Sequence, residues 1–98
     1  MGLRLRLALL LVAAPAVAWA QGAPDGLALS LNCSTCHGID GQSPGAVASL
    51  KGMPAEQIVA AFRQFRTGER PASIMNRIAK GFSEAEAAAI AEYWSRLK

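Results

Sequence analysis

Two stretches of the chain repeat their apolar residues at helical spacing. In PAEQIVAAFRQFRTG, residues 54–68, Ile58, Ala61, Phe62 and Phe65 recur at i, i+3, i+4 and i+7, which gathers them on one face of a helix. Pro54 stands at the predicted first helical position and Gly68 just past the end, the usual asymmetry of helix termini. In SEAEAAAIAEYWSRLK, residues 83–98, Ala87, Ile90, Tyr93, Trp94 and Leu97 form a second apolar stripe. Ser83 and Glu86 have the spacing of a capping box. Glu92 and Arg96 form an i,i+4 pair in the favoured order. A shorter helix is predicted for LALSLNC, residues 27–33, with Asp25 as its N-cap. One more helical turn is expected over Ile74 to Ala79, within the loop ERPASIMNRIAKG. No segment alternates at the period of a strand, and no segment repeats. The pattern predicts an all-α domain of three to four helices. Between the short helix at 27–33 and the long helix at 54–68 lies HGIDGQSPGAVASLKGM, rich in glycine, serine and proline and read as a loop. A loop of that length in a small domain is usually functional.

The apolar run at the start is of another kind. Arg4 and Arg6 precede Leu7 to Ala14, and Ala18-Trp19-Ala20 supplies an A-x-A cleavage pattern. These are the three parts of a secretory signal peptide. The alternative is a membrane anchor, but Pro15 interrupts a stretch already shorter than the roughly 20 residues of a spanning helix. Residues 1–20 are therefore expected to be cleaved, 21–26 to be a linker, and 27–98 to be the exported, periplasmic domain, with no membrane span after cleavage.

Removing 20 of the 98 residues leaves 78, one domain with a marginal core. Such chains usually need a disulfide, a metal or a cofactor as a staple. The charge picture also changes. The full chain carries +3, but without Arg4 and Arg6 it has 8 basic against 7 acidic residues, a net +1. No basic run or interleaved aromatic patch remains to bind nucleic acid.

The only two cysteines and the only histidine fall together, in Cys33-Ser34-Thr35-Cys36-His37. C-x-x-C-H is the attachment signature of c-type haem. Two thiols three positions apart on a helix can reach two vinyl groups on one edge of a porphyrin, and the adjacent imidazole can bind the iron. Three other readings compete. A zinc site typically draws four ligands from two such pairs, and there is one pair here. A thioredoxin-like motif expects a βαβ setting. A disulfide suits an exported protein, but it closes too small a loop to staple a fold and leaves His37 unexplained. If His37 holds one side of a haem iron, the soft candidates for the other side are Met53, which can equally be a core filler, and Met75, in the late loop. A thioether there favours reduced iron and raises the potential.

Cys33-x-x-Cys36-His37, then Gly38, Gly41 and Pro44, then a late methionine, resembles the class I c-type cytochromes across nearly all of residues 21–98. CHGIDGQSPG, FRTGERPASIM and RIAKGFSEAEAAAIAEYW are most similar to the small cytochrome c4/c553-like domains, especially the haem subunits of flavocytochrome c sulfide dehydrogenases. The resemblance implies a small cytochrome c fold around one covalent haem c. It implies thioether links at Cys33 and Cys36, His37 as proximal iron ligand and Met75 as distal ligand. It also implies a backbone carbonyl near Pro44 that accepts the His37 Nδ1–H. Relatives of the sulfide-oxidising type often carry two haem domains, whereas this chain has one C-x-x-C-H.

The function expected is single-electron transfer, as the haem subunit of an FAD-containing sulfide dehydrogenase. The alternative is a free shuttle to a terminal oxidase or another reductase. A haem enzyme or gas sensor with an open sixth site is a third reading, in which Arg66, Arg70 or Arg77 would serve the distal face. Arg63, Arg66, Arg70, Arg77 and Lys80 cluster around Met75, while Glu84, Glu86 and Glu92 lie in the last helix. That segregation suggests a weakly basic docking rim on the Met75 side, against the plainer reading of a solvated surface.

Overall fold

Asp25 starts the first helix as expected. In the computed structural model its Oδ1 accepts from the Leu27 and Ala28 amides at 3.1 and 3.4 Å. The structure describes residues 23–98 with the isolated positions Gly2, Leu11 and Ala13, so the expected signal peptide falls outside the described residues except at those three. Helix α1 runs Gly26–His37, four residues beyond the predicted end at Cys33. Gly38 ends it: at φ 95° its amide donates to the Ser34 carbonyl at 3.0 Å. The whole C-x-x-C-H pentapeptide is therefore helical.

Helix α2 (Ala55–Thr67) places Pro54 at the cap rather than in the first turn, and Gly68 follows in the left-handed conformation. The turn expected over 74–79 is α3 (Met75–Lys80), and α4 spans Glu84–Arg96. Both arms of the capping box are closed: Ser83 Oγ accepts from the Glu86 amide at 3.1 Å, and Glu86 Oε1 from the Ser83 amide at 2.9 Å. The Glu92–Arg96 pair is also formed. No strand occurs among the described residues.

Helix α4 is the centre of the packing. It lies against α1 on one side and α2 on the other, and α3 packs on α2. Ile58, Phe62, Ala79, Ala87, Ile90, Ala91 and Trp94 are buried, and Tyr93, Leu97 and Phe65 pack half-buried around them. Three of those seven residues are alanine, so most of the buried area comes from four side chains. Trp94 is the largest and fully buried. Truncating such a residue typically costs about 3–5 kcal/mol.

Two glycines allow close approaches around α4. A Cβ on Gly26 would lie 2.5 Å from the Ala89 carbonyl oxygen, so only glycine lets α1 cross α4 here. Gly41, at φ 82°, lies beneath the Trp94 indole, where a Cβ would meet two ring carbons at 2.7 Å. The Gly41 carbonyl accepts from the Leu50 and Lys51 amides at 2.7 and 3.1 Å, and the Gly52 amide donates to the Trp94 carbonyl at 3.0 Å. The loop after α1 is thus closed at its base and pinned to α4.

Candidate functional site

Cys33 and Cys36 occupy the last full turn of α1, and the i,i+3 spacing puts their side chains on neighbouring positions of one face. Both are free thiols; Cys33 is half-buried and Cys36 exposed. Cys33 packs against the buried cluster. Burial pushes its thiol above the ordinary range, the Trp94 indole opposes that rise, and Cys36 adds to it. A raised thiol is the reverse of the activated, low-pKa cysteine of a redox C-x-x-C. The Trp94 N–H nevertheless completes no hydrogen bond with any protein atom.

His37 closes α1 and is oriented from outside it. Its Nδ1 lies 2.5 Å from the Ala48 carbonyl oxygen. A carbonyl can only accept, so Nδ1 carries the proton and Nε2 keeps the lone pair that binds metal. The acceptor was expected near Pro44 and is four residues later. The loop explains the difference. The Ser43 amide donates to Ser49 Oγ at 2.9 Å, and Gly45 bonds back to Ser43 Oγ at 3.3 Å. Pro44 therefore sits at an exposed outer bend, and the returning strand of the loop brings Ala48 to α1.

The two methionines separate cleanly. Met53 packs against the buried cluster. Met75 is half-buried as the first residue of α3 and is not among the described residues packed on that cluster. No group of three or more His, Cys, Asp or Glu side chains converges among the described residues.

The expected basic rim is changed by one residue. Glu84, in the first turn of α4, accepts from Arg63 at 3.1 Å and from Arg66 at 2.8 Å. Acid and base are not segregated there, and Arg63 and Arg66 share one carboxylate, which offsets one of their two charges. These pairs span 18 and 21 positions, so no local sequence pattern signals them. Of the three arginines considered for a distal site, Arg66 is held by Glu84, and Arg70 lies 5.1 Å from the Phe65 ring centroid.

The residues fit a large planar apolar group. Leu31, Ile39, Val47 and Ile74 are exposed, Ile39 by 91% and Ile74 by 54%. Each stands one or two positions from Cys33, His37, Ala48 or Met75. Exposed large apolar side chains beside each predicted ligand position are the kind of surface that a bound apolar group covers. Two thiols, an imidazole with a fixed tautomer and a thioether outside the core are the donor set of a covalently held haem.

An all-α chain with C-x-x-C-H at the end of its first helix defines a c-type cytochrome. The comparison with known families agrees: the Cytochrome c family model matches residues 23–98, and the chain belongs to that family. Its cofactor is covalently bound haem c, and its role is electron transfer. The chain is 42% identical over 69 residues to the cytochrome subunit of sulfide dehydrogenase of Chlorobaculum tepidum, covering 70% of this chain and 63% of that protein. It is 35% identical to the thiosulfate dehydrogenase electron acceptor of Thiomonas intermedia, covering 88% of this chain and 38% of that protein. It is 32% identical to cytochrome c-553 of Nitratidesulfovibrio vulgaris, covering 76% and 78%. The chain thus spans less than two thirds of the first two relatives.

Proposed function

We propose that this chain is a periplasmic monohaem cytochrome that carries single electrons from a flavoprotein sulfide dehydrogenase subunit. Cys33 and Cys36 would hold the haem by thioether bonds, and His37 Nε2 and Met75 Sδ would ligate its iron. Bound haem supplies the one-electron couple of its iron. The chain's own residues fix the surroundings of that couple. α1 presents the thiols three positions apart, and the Ala48 carbonyl fixes the tautomer and angle of His37. The α3 segment carries Met75, and the apolar side chains from Leu31 to Ile74 exclude water. The His37–Ala48 contact carries this reading most directly, because it leaves Nε2 as the ligand atom. Residues 1–20 form the cleaved signal, 21–26 the linker and 27–98 the haem domain. The leader pattern supports export, and among the described residues no helix is long and apolar enough to cross a membrane.

The flavoprotein partner rests on the likeness to the sulfide dehydrogenase subunit. A free shuttle is the second reading, favoured by the likeness of 88% of the chain to a thiosulfate dehydrogenase electron acceptor. A stopped-flow salt series on the purified pair distinguishes them. A permanent subunit buries a large, more apolar interface, and its internal transfer is indifferent to salt and to protein concentration. A shuttle steered by Arg70, Arg77 and Lys80 slows as salt rises. A second-order rate that ignores salt counts against both. For the electron-transfer role itself, a redox titration of the holoprotein should follow a one-electron Nernst slope, about 59 mV per decade.

A further inference from the structure

The segment that carries Met75 is tied to α2 at both ends. At its entry the Arg70 amide donates to the Gln64 carbonyl at 3.2 Å, and the Arg70 guanidinium stacks on Phe65. At its exit Arg66 Nη2 donates to the Phe82 carbonyl at 2.8 Å, while Nη1 donates to Glu84 Oε1 at 2.8 Å. The Phe82 ring meets Phe62 edge-on, with centroids 6.0 Å apart. Three consecutive residues of α2, Gln64 to Arg66, thus hold both ends of a segment that runs from Arg70 to Phe82.

Between the anchors α3 packs on α2 through the buried Ala79 near its end, but its first turn is held less. Helix α3 has six residues, and no side chain caps its start. A helix that short has no stability of its own. Met75 sits in that uncapped first turn, and its neighbour Ile74 is exposed. Arg66 differs from Arg63 in the same cluster. Its side chain is 28% exposed against 63% for Arg63, and it alone reaches a main-chain oxygen of the Met75 segment. A partly shielded bond from a charged donor is stronger than an open surface pair.

We propose that Arg66 is a positioning residue for the distal ligand: by fixing the Phe82 carbonyl and Glu84 to α2, it holds α3 so that the Met75 sulfur stays on the iron. The inference rests on Met75 being that ligand. The test is imidazole binding to the oxidised holoprotein, since imidazole takes the distal position only when the native ligand leaves. Arg66→Met keeps the apolar stem and removes the guanidinium. It is expected to raise imidazole affinity about tenfold, the effect of one charge-assisted hydrogen bond. Arg63→Met removes only the open pair to Glu84 and is expected to stay within about twofold of wild type. Arg66→Lys retains one charged donor and is expected to fall between; it serves as the readout if Arg66→Met does not assemble. Equal affinities for the Arg66 and Arg63 variants overturn the positioning role. Met75→Ala is the separate control. If it leaves imidazole affinity unchanged, the ligand assignment fails, and the positioning role with it. A raised affinity in Met75→Ala alone, with the Arg66 variants at wild type, refutes only the latter.

Discussion

Replacing Gly41 with alanine puts a methyl group where the structure has the Trp94 ring. The new Cβ would lie 2.7 Å from two carbons of that ring and 3.0 Å from the Lys51 amide nitrogen. Two penalties add. A left-handed conformation costs a non-glycine residue roughly 1–2 kcal/mol. Overpacking against a fully buried indole costs roughly 1–3 kcal/mol. Relief requires the base of the loop to open, which strains the Gly41–Leu50, Gly41–Lys51 and Gly52–Trp94 backbone bonds. The expected loss is therefore about 2–5 kcal/mol, the sum of those two ranges. For a domain of this size even the lower figure lowers the melting temperature by about 8 °C or more. Displacing the loop also disturbs Ala48, so the His37 imidazole loses its fixed acceptor and the reduction potential shifts. The assay is thermal unfolding of purified holoprotein, followed by haem absorption, with a redox titration of the same sample. Gly45→Ala is the control, because nothing lies within 4 Å of its Cβ; it is expected to change stability by less than about 0.5 kcal/mol. A Gly41→Ala protein within 0.5 kcal/mol of wild type, roughly the surface-substitution range, refutes the account of the loop.

Cys33→Ser and Cys36→Ser each leave one thioether, lower the yield of holoprotein and shift the α-band of the reduced spectrum. Haem that acid–acetone extracts from the wild type disproves the covalent link. Glu84 gives a pH prediction. Hydrogen bonds from Arg63 first, and Arg66 after it, hold its carboxyl below the usual range. Its contribution is therefore present above the unfolded-state value, about 4.3, and is lost as pH falls below it toward the folded value. Acid titrations of wild type and Glu84→Gln should differ at neutral pH and converge in acid; parallel curves would show that the arginine pairs contribute nothing.

The last helix was legible in sequence because its signals are local. Ser83, Glu86 and the stripe from Ala87 to Trp94 need only i,i+3 and i,i+4 neighbours, and all of them formed. Helix α1 runs four residues past its predicted end at Cys33. The signal for the longer helix was present in Gly38, which follows His37 and takes a positive φ that favours glycine. Ala48 gave no signal. It acts through its main-chain carbonyl, which every residue has, and only the folding of the loop selects it. The Glu84 cluster was hidden for a related reason, since its partners on α2 are brought together by the packing of α2 on α4. The thiols and the histidine needed no fold to be recognised, because their spacing along one helix already states the chemistry.

Whether His37 and Met75 both ligate the haem iron has a direct spectroscopic readout. Near-infrared absorption of the oxidised holoprotein tests it most directly, through the sulfur-to-iron charge-transfer band. That band is expected in the wild type and in Met53→Ala, and its absence in Met75→Ala, together with a lower reduction potential. A band that survives in Met75→Ala and disappears in Met53→Ala would contradict ligation by Met75.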